Sequence, residues 1–92
     1  MSTYRVWTGY EMVYQDIPSE EGACMRWTGL TDIKGKDIYE ADIVANDHTR
    51  ATVEYVEDDE RFVLRHGLET RGFYEARDFV VLGNAFENRE LV

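Results

Sequence analysis

Apolar residues along this chain come in short bursts that alternate with polar ones, the period of a strand. Nowhere do they recur over a long stretch at helical spacing. "TYRVWTGYEMVY" reads as two short strands turning at Thr8-Gly9, with Tyr4, Val6, Met12 and Tyr14 offered to one face. "QDIPSEEGA" reads as a loop, because proline, serine, two glutamates and a glycine follow one another. "CMRWTGL" is a short extended segment. In "TDIKGKDIY" the chain reverses tightly at Lys34-Gly35, where glycine takes a positive φ at little cost. "DIYEADIVA" then resumes the alternation, with Ile38 and the pair Ile43-Val44 as core candidates.

The clearest strand pattern follows. "RATVEYVEDDERFVLRHG" places Val53, Tyr55 and Val56 before an acidic break at residues 57–60, and Phe62, Val63 and Leu64 after it. Two β-rich runs split by about four polar residues make a hairpin. "ETRGFYEARDFVVLGNAF" repeats the scheme, with a turn at Gly72, an aromatic pair and a buried run from Phe79 to Leu82. "ENRELV" closes as one helical turn. The pattern predicts an all-β fold, an SH3-like or related small β-barrel built from short antiparallel hairpins with at most short helical turns. Residues 1–92 form a single domain in this reading, since the length leaves no room for a second core.

Composition narrows the class. Apolar residues make up 43% and aromatics 13% of the 92 residues, a globular rather than a disordered balance. No apolar run approaches the roughly 20 residues of a membrane span, and the N-terminus lacks the pattern of a signal peptide. The single cysteine, Cys24, excludes an internal disulfide and fits the cytoplasm. Charge is the feature that stands out: 19 acids against 10 bases leave −9. Such a field repels nucleic acid and anionic membrane and favours partners with basic surfaces.

The run "WTGLTDIKGKDIYEADIV", residues 27–44, resembles the "TGL-D-GK-IYEGDIV" signature of the YopX-like proteins of phages and prophages. The closing "VVLGNAFENRELV" is similar to that family's "VIGNIYENPEL", and the opening "YRVWTGYEMVY" to its "FRAW" followed by a methionine and an aromatic. Ala41 stands where the family carries glycine, which weighs against a left-handed backbone there, and Arg89 stands where it carries proline. The segment between Gly9 and Cys24 is short for the family. The resemblance implies a β-rich phage or prophage protein acting inside a bacterium, in the cytoplasm of the infected host. It supplies no activity.

Candidate chemistry is sparse. Glu40 and Asp42 would share one face of a strand, with Tyr39 opposite, as a pair of carboxylates for acid–base work or for a cation. The plainer reading, and the favoured one, has Asp42 fixing a turn through backbone N–H groups. Lys34, Gly35 and Lys36 lack the spacing of a phosphate loop, and His48 and His66 are isolated. Cys24 has no readable histidine partner and reads as a small buried filler, while Trp7 and Trp27 read as core. Arg65, Arg71 and Arg77 flank Phe73 and Tyr74, as a nucleic-acid-binding barrel would ask, but interleaved acids make cross-strand Arg–carboxylate pairs the better account.

No catalytic residue, metal site or cofactor is therefore assigned, and the chain reads as a binding protein rather than an enzyme. The residues assigned to a partner are Glu54, Glu57, Asp58, Asp59, Glu60, Glu69, Glu75 and Asp78, a set that as one array would imitate the charges of a nucleic acid. The expected partner is a host or defence protein with a basic surface, most sharply a nucleic-acid-binding nuclease such as a CRISPR effector, blocked as an anti-CRISPR blocks it. The alternatives are a nucleic-acid-binding barrel in phage replication or regulation, using the three arginines, and a homo-oligomeric structural protein.

Overall fold

A chain of short alternating bursts can bury apolar surface only by pairing strand against strand, and the computed structural model, which describes residues 2–91, does so throughout. The strands are β1 (Tyr4–Trp7), β2 (Met12–Gln15), β3 (Ala23–Thr31), β4 (Asp37–Tyr39), β5 (Asp42–Ala45), β6 (Arg50–Val56), β7 (Arg61–His66), β8 (Glu69–Gly72) and β9 (Val80–Asn84). Two short 3₁₀ segments, Phe73–Asp78 and Arg89–Leu91, complete the described chain. The strands form two antiparallel sheets, one in the order β2-β1-β3-β4 and the other β8-β7-β6-β5-β9.

This corrects the expectation of an SH3-like β-barrel. Both sheets are open, and among the described residues neither closes on itself. Closure requires edge strands to pair with one another, and here one candidate edge is already occupied. The outer side of β9 is covered by the turn after β3 and by the chain that follows β9. Asp32 Oδ2 accepts the Val81 N–H at 2.9 Å, Asn88 Oδ1 accepts the Asn84 N–H at 3.1 Å, and the Ile33 N–H donates to the Phe79 carbonyl at 3.1 Å. The other side of β9 pairs with β5, so β9 keeps no free side on which β8 could close the sheet.

The chain passes from one sheet to the other at Glu40-Ala41. The Glu40 N–H donates to the Arg26 carbonyl on β3, and the next N–H, that of Ala41, donates to the Val53 carbonyl on β6. Facing two sheets with consecutive N–H groups needs an abrupt change of direction, and Ala41 makes it at φ +72°. The left-handed backbone that alanine argued against is therefore present. An L-residue there costs roughly 1–2 kcal/mol more than glycine in local sterics.

The main core cluster draws heavily on the β5-β6-β7 sheet, where Val44, Val53 and Leu64 pack with Ile38 of β4, Phe79 and Val81. The turn expected at Gly72 is not a reversal. Gly72 ends β8 with φ −59°, and the next six residues wind as a 3₁₀ segment. Side chains three apart line up in such a segment, so Phe73 and Ala76 are both buried while Tyr74, Glu75, Arg77 and Asp78 stay exposed. The first hairpin also faces differently from what its alternation predicts. The register Val6↔Val13 and Trp7↔Met12 sets Tyr4 and Val6 on one face and Met12 and Tyr14 on the other, because the turn between the strands shifts the parity.

Asp32 holds the hairpin turn that joins β3 to β4. One carboxylate oxygen accepts the N–H groups of Lys34 and Lys36, both at 2.9 Å, and the other accepts Val81. Burial alone would raise the pKa of this carboxyl, but the three backbone donors and the nearby Lys36 outweigh it and hold it below its ordinary value of 3.8. A lowered folded pKa means a contribution fully present above the unfolded value and lost as pH falls through the lower folded one. Asp32→Ala should cost about 2–3 kcal/mol at neutral pH, chiefly by orphaning the Val81 N–H, and should flatten stability against pH below 3.8. Urea unfolding across that range measures both effects. Ala41→Gly should add about 1 kcal/mol, read as a higher urea midpoint at unchanged slope.

Candidate interaction surface

Glu40 and Asp42, read as one acidic face, are parted by the bend at Ala41. Asp42 is fully buried, and Glu40 remains half-exposed. Buried charge needs a partner, and the chain supplies it from the other sheet: Arg5 of β1, 3% exposed, sets Nη2 at 2.5 Å from Asp42 Oδ1. The same Nη2 donates to the Glu40 carbonyl at 3.3 Å, and the guanidinium carbon lies 4.8 Å from the centre of the Tyr39 ring. The second Asp42 oxygen accepts the Tyr39 N–H at 2.8 Å, the turn-fixing role that the sequence favoured. The Tyr39 hydroxyl, in turn, donates to the Ser2 carbonyl. Burial pushes the Asp42 carboxyl upward, against the pull of Arg5 and of the Tyr39 N–H. This constellation is a joint between sheets, and its atoms are occupied with one another.

The exposed chemistry lies elsewhere. The β6–β7 hairpin turns through residues 57–60 with Glu60 at φ +50°, and all four of its acids are exposed. Beside it runs the loop between β2 and β3, which carries Asp16, Glu20 and Glu21. The two meet across a groove of about 320 Å³ walled by Pro18, Ser19, Tyr4, Cys24, Arg26, Glu40 and Glu57. Arg26 sits between them, 3.4 Å from both Glu40 and Glu57, with its guanidinium 4.1 Å from the centre of the Tyr55 ring. Arg61 reaches Asp59 at 3.3 Å. Exposed pairs of this length hold little energy, so the cations trim the field without cancelling it.

The structure brings together part of the set assigned from sequence. Glu57, Asp58, Asp59 and Glu60 share the hairpin tip. Glu54 lies on β6 just before the tip, tied to Arg65 of β7 at 2.6 Å. Glu69 follows the far end of β7, opposite His66, a strand length from the tip. Glu75 and Asp78 are exposed on the 3₁₀ segment. Sequence reasoning missed the second acidic loop and Arg26. The acids of that loop were visible, but its place beside the hairpin depends on sheet order, which local pattern does not carry.

Of the three arginines, Arg65 makes the cross-strand carboxylate pair expected for the group. Arg71 lies on the edge strand β8, and Arg77 stands 5.8 Å from the centre of the Tyr74 ring. They gather on no common face with Phe73, which is buried. Cys24, expected as a buried filler, is half-buried in the groove wall, and Trp7 and Trp27 are half-buried as well. His66 bonds the Arg50 carbonyl through Nδ1 at 2.8 Å, and His48 lies exposed in the β5–β6 turn. Among the described residues no group of three or more His, Cys, Asp or Glu side chains is placed to hold a metal ion, and no helix is long and apolar enough to cross a membrane.

Fold and surface together define an acidic protein of two open β-sheets, with four exposed acids in a row at the tip of the β6–β7 hairpin. The chain matches the family model described as YopX protein over residues 3–92, and it belongs to that family. No curated protein matches it. The runs that carried the resemblance have structural jobs here. Asp32 and Gly35 make the β3–β4 turn, residues 39–42 pass the chain between sheets, and Gly83, Asn84 and Asn88 close the end of β9. A Cβ at Gly83 would stand 2.3 Å from Asn88 Oδ1, while Asn84 Oδ1 accepts the N–H groups of Phe86 and Glu87.

Asp42→Ala should destabilise the protein by about 3–5 kcal/mol, because it leaves the Arg5 guanidinium buried without a counter-charge. Denaturant unfolding measures the loss. Truncation of exposed Glu57 in the same assay should cost less than about 1 kcal/mol.

Proposed function

We propose that this protein is a binding protein that docks its acidic end on a basic, nucleic-acid-binding surface of a host or defence protein in the cytoplasm of the infected bacterium. The observation that carries the reading is the run of four exposed acids at the 57–60 tip, beside a groove that the β2–β3 loop also walls. Glu57 of the tip and Pro18 and Ser19 of the loop wall one groove, the loop's Asp16, Glu20 and Glu21 are exposed, and Arg26 in the groove and Arg61 at the tip are already paired. Carboxylates on exposed loops keep their hydration until a partner replaces it, and a basic surface shaped for phosphates supplies guanidinium and ammonium groups suited to that exchange. The consequence for the partner is exclusion: its own nucleic acid cannot occupy a surface filled by this one. A nuclease of bacterial defence is the sharpest form of that target, and the action needs no chemistry from the bound protein.

The acidic field also steers association. Complementary charge raises the rate of encounter steeply at low salt and loses that advantage as ions screen it, over about 8 Å at physiological strength. The test is affinity capture of the tagged protein from host lysate, with and without nuclease, beside a variant carrying Glu57→Lys, Asp58→Lys, Asp59→Lys and Glu60→Lys. The expected result is a partner that survives nuclease treatment and is lost with the variant, whose far-UV dichroism stays that of the parent. A partner that vanishes with nuclease, or one that the variant captures equally well, would overturn the reading.

A further inference from the structure

Open sheets expose edges, and an uncovered edge is a row of unpaired N–H and C=O groups ready to add a strand. Among the described residues the edge strands are β2, β4, β8 and β9. The outer side of β9 is covered by Asp32 and Asn88, and β4 is three residues long with a break in its register to β3. On β2, Tyr14 packs edge-on against Tyr39 at 5.7 Å. β8 differs in that all four of its residues are exposed; like β2 it contains no proline and keeps an unbroken register with its neighbour. Its two charges, Glu69 and Arg71, have no ion-pair partner among the described residues.

The order of those residues is self-complementary. β8 follows a two-residue turn, Gly67-Leu68, with Gly67 at φ +60° and His66 facing Glu69. Residues that flank such a turn exchange both backbone hydrogen bonds, so Glu69 and Arg71 turn theirs toward β7 while Thr70 and Gly72 present theirs at the free edge. Set a second β8 antiparallel to the first with Thr70 facing Thr70. The two threonines then form a hydrogen-bonded pair, and Glu69 of each copy stands directly opposite Arg71 of the other. Those flanking positions are the non-hydrogen-bonded kind, with Cα atoms about 4.5 Å apart, where side chains approach most closely. The same register carries Leu68, fully exposed at the hairpin tip, toward Gly72 of the second copy, where a Cβ would meet nothing within 4 Å.

We propose that β8 is the contact strand of a symmetric dimer, in which two copies of this chain join edge to edge and their five-stranded sheets run on as one. Such an interface is isologous and closes after two copies, so it does not propagate into fibres. It is also small, which makes the dimer reversible and dependent on concentration. The overall charge of −9 does not forbid it, because at physiological salt most of that charge lies beyond a screening length of about 8 Å from the contact. The dimer does not rest on the acidic end having a partner, although it would present two such ends on one scaffold.

Sedimentation velocity on the full chain over a wide concentration series tests it. The parent should pass from monomer to dimer as concentration rises. Glu69→Arg alone and Arg71→Glu alone should each stay monomeric at concentrations where the parent is dimeric, since each sets like charges face to face twice. An equimolar mixture of the two variants should recover the dimer, because every facing pair is then of opposite sign. Both side chains are exposed, and unchanged thermal unfolding of each variant shows that the fold is intact. A parent that stays monomeric throughout, a dimer indifferent to either change, or a mixture that fails to recover it would overturn the proposal.

Discussion

One ion pair sets the relation between the two sheets. Arg5 comes from the second strand of one sheet and Asp42 from the first residue of β5 in the other, and both are out of water. Burying opposite charges rarely adds net stability, because desolvation consumes most of the attraction. What it adds is discrimination, since any other placement of the sheets would leave a bare charge in the interior. The neighbouring groups follow from it. Asp42 holds the Tyr39 N–H, Arg5 holds the Glu40 carbonyl, and the bend at Ala41 directs successive N–H groups to β3 and β6. The groove walled by Arg26, Glu40 and Glu57 lies just outside this joint.

Membership of the YopX family is written largely in this buried and turn-forming hardware. Asp32, Gly35, Asp42, Gly83 and Asn84 each satisfy a backbone demand or a packing demand, and the side chains of Asp32, Asp42 and Asn84 are buried and spent on internal hydrogen bonds. The charged loops that could meet a partner lie outside those runs. A protein built so can keep one architecture while its exposed loops change, and a family match then speaks for the fold more than for the target.

Much of the architecture was legible from residue order. Val53 to Leu64 with an acidic break reads as a hairpin and is one, and the reversal at Lys34-Gly35 is there with Gly35 at φ +83°. Ile38, Ile43 and Val44 are buried as their alternation implied. Closure was not legible. Whether short strands curl into a barrel or stop as two sheets depends on which edges meet, and here Asp32 and Asn88 occupy one of them. Arg5 looked like one more polar residue in an alternating strand, since its counter-charge lies 37 positions away. The acidic surface divided in the same way. The tip at 57–60 is local and could be read, whereas its neighbour is the loop at 16–22, and Glu69 sits at the other end of β7.

The bonds that join the sheets also bear on how quickly the chain can find its fold. Arg5 and Asp42 are 37 residues apart, and Asp32 reaches Val81 across 49. Each contact closes a long loop before any reward arrives, so the entropy is lost early and the compensation comes late. Proteins dominated by such pairings fold over milliseconds to seconds, slower than helical chains of the same length. The β6–β7 hairpin, closed by a four-residue turn, can form long before the joint does. In a newly made chain the acidic tip can therefore take shape from local contacts alone, before the sheet that supports it has found its neighbour.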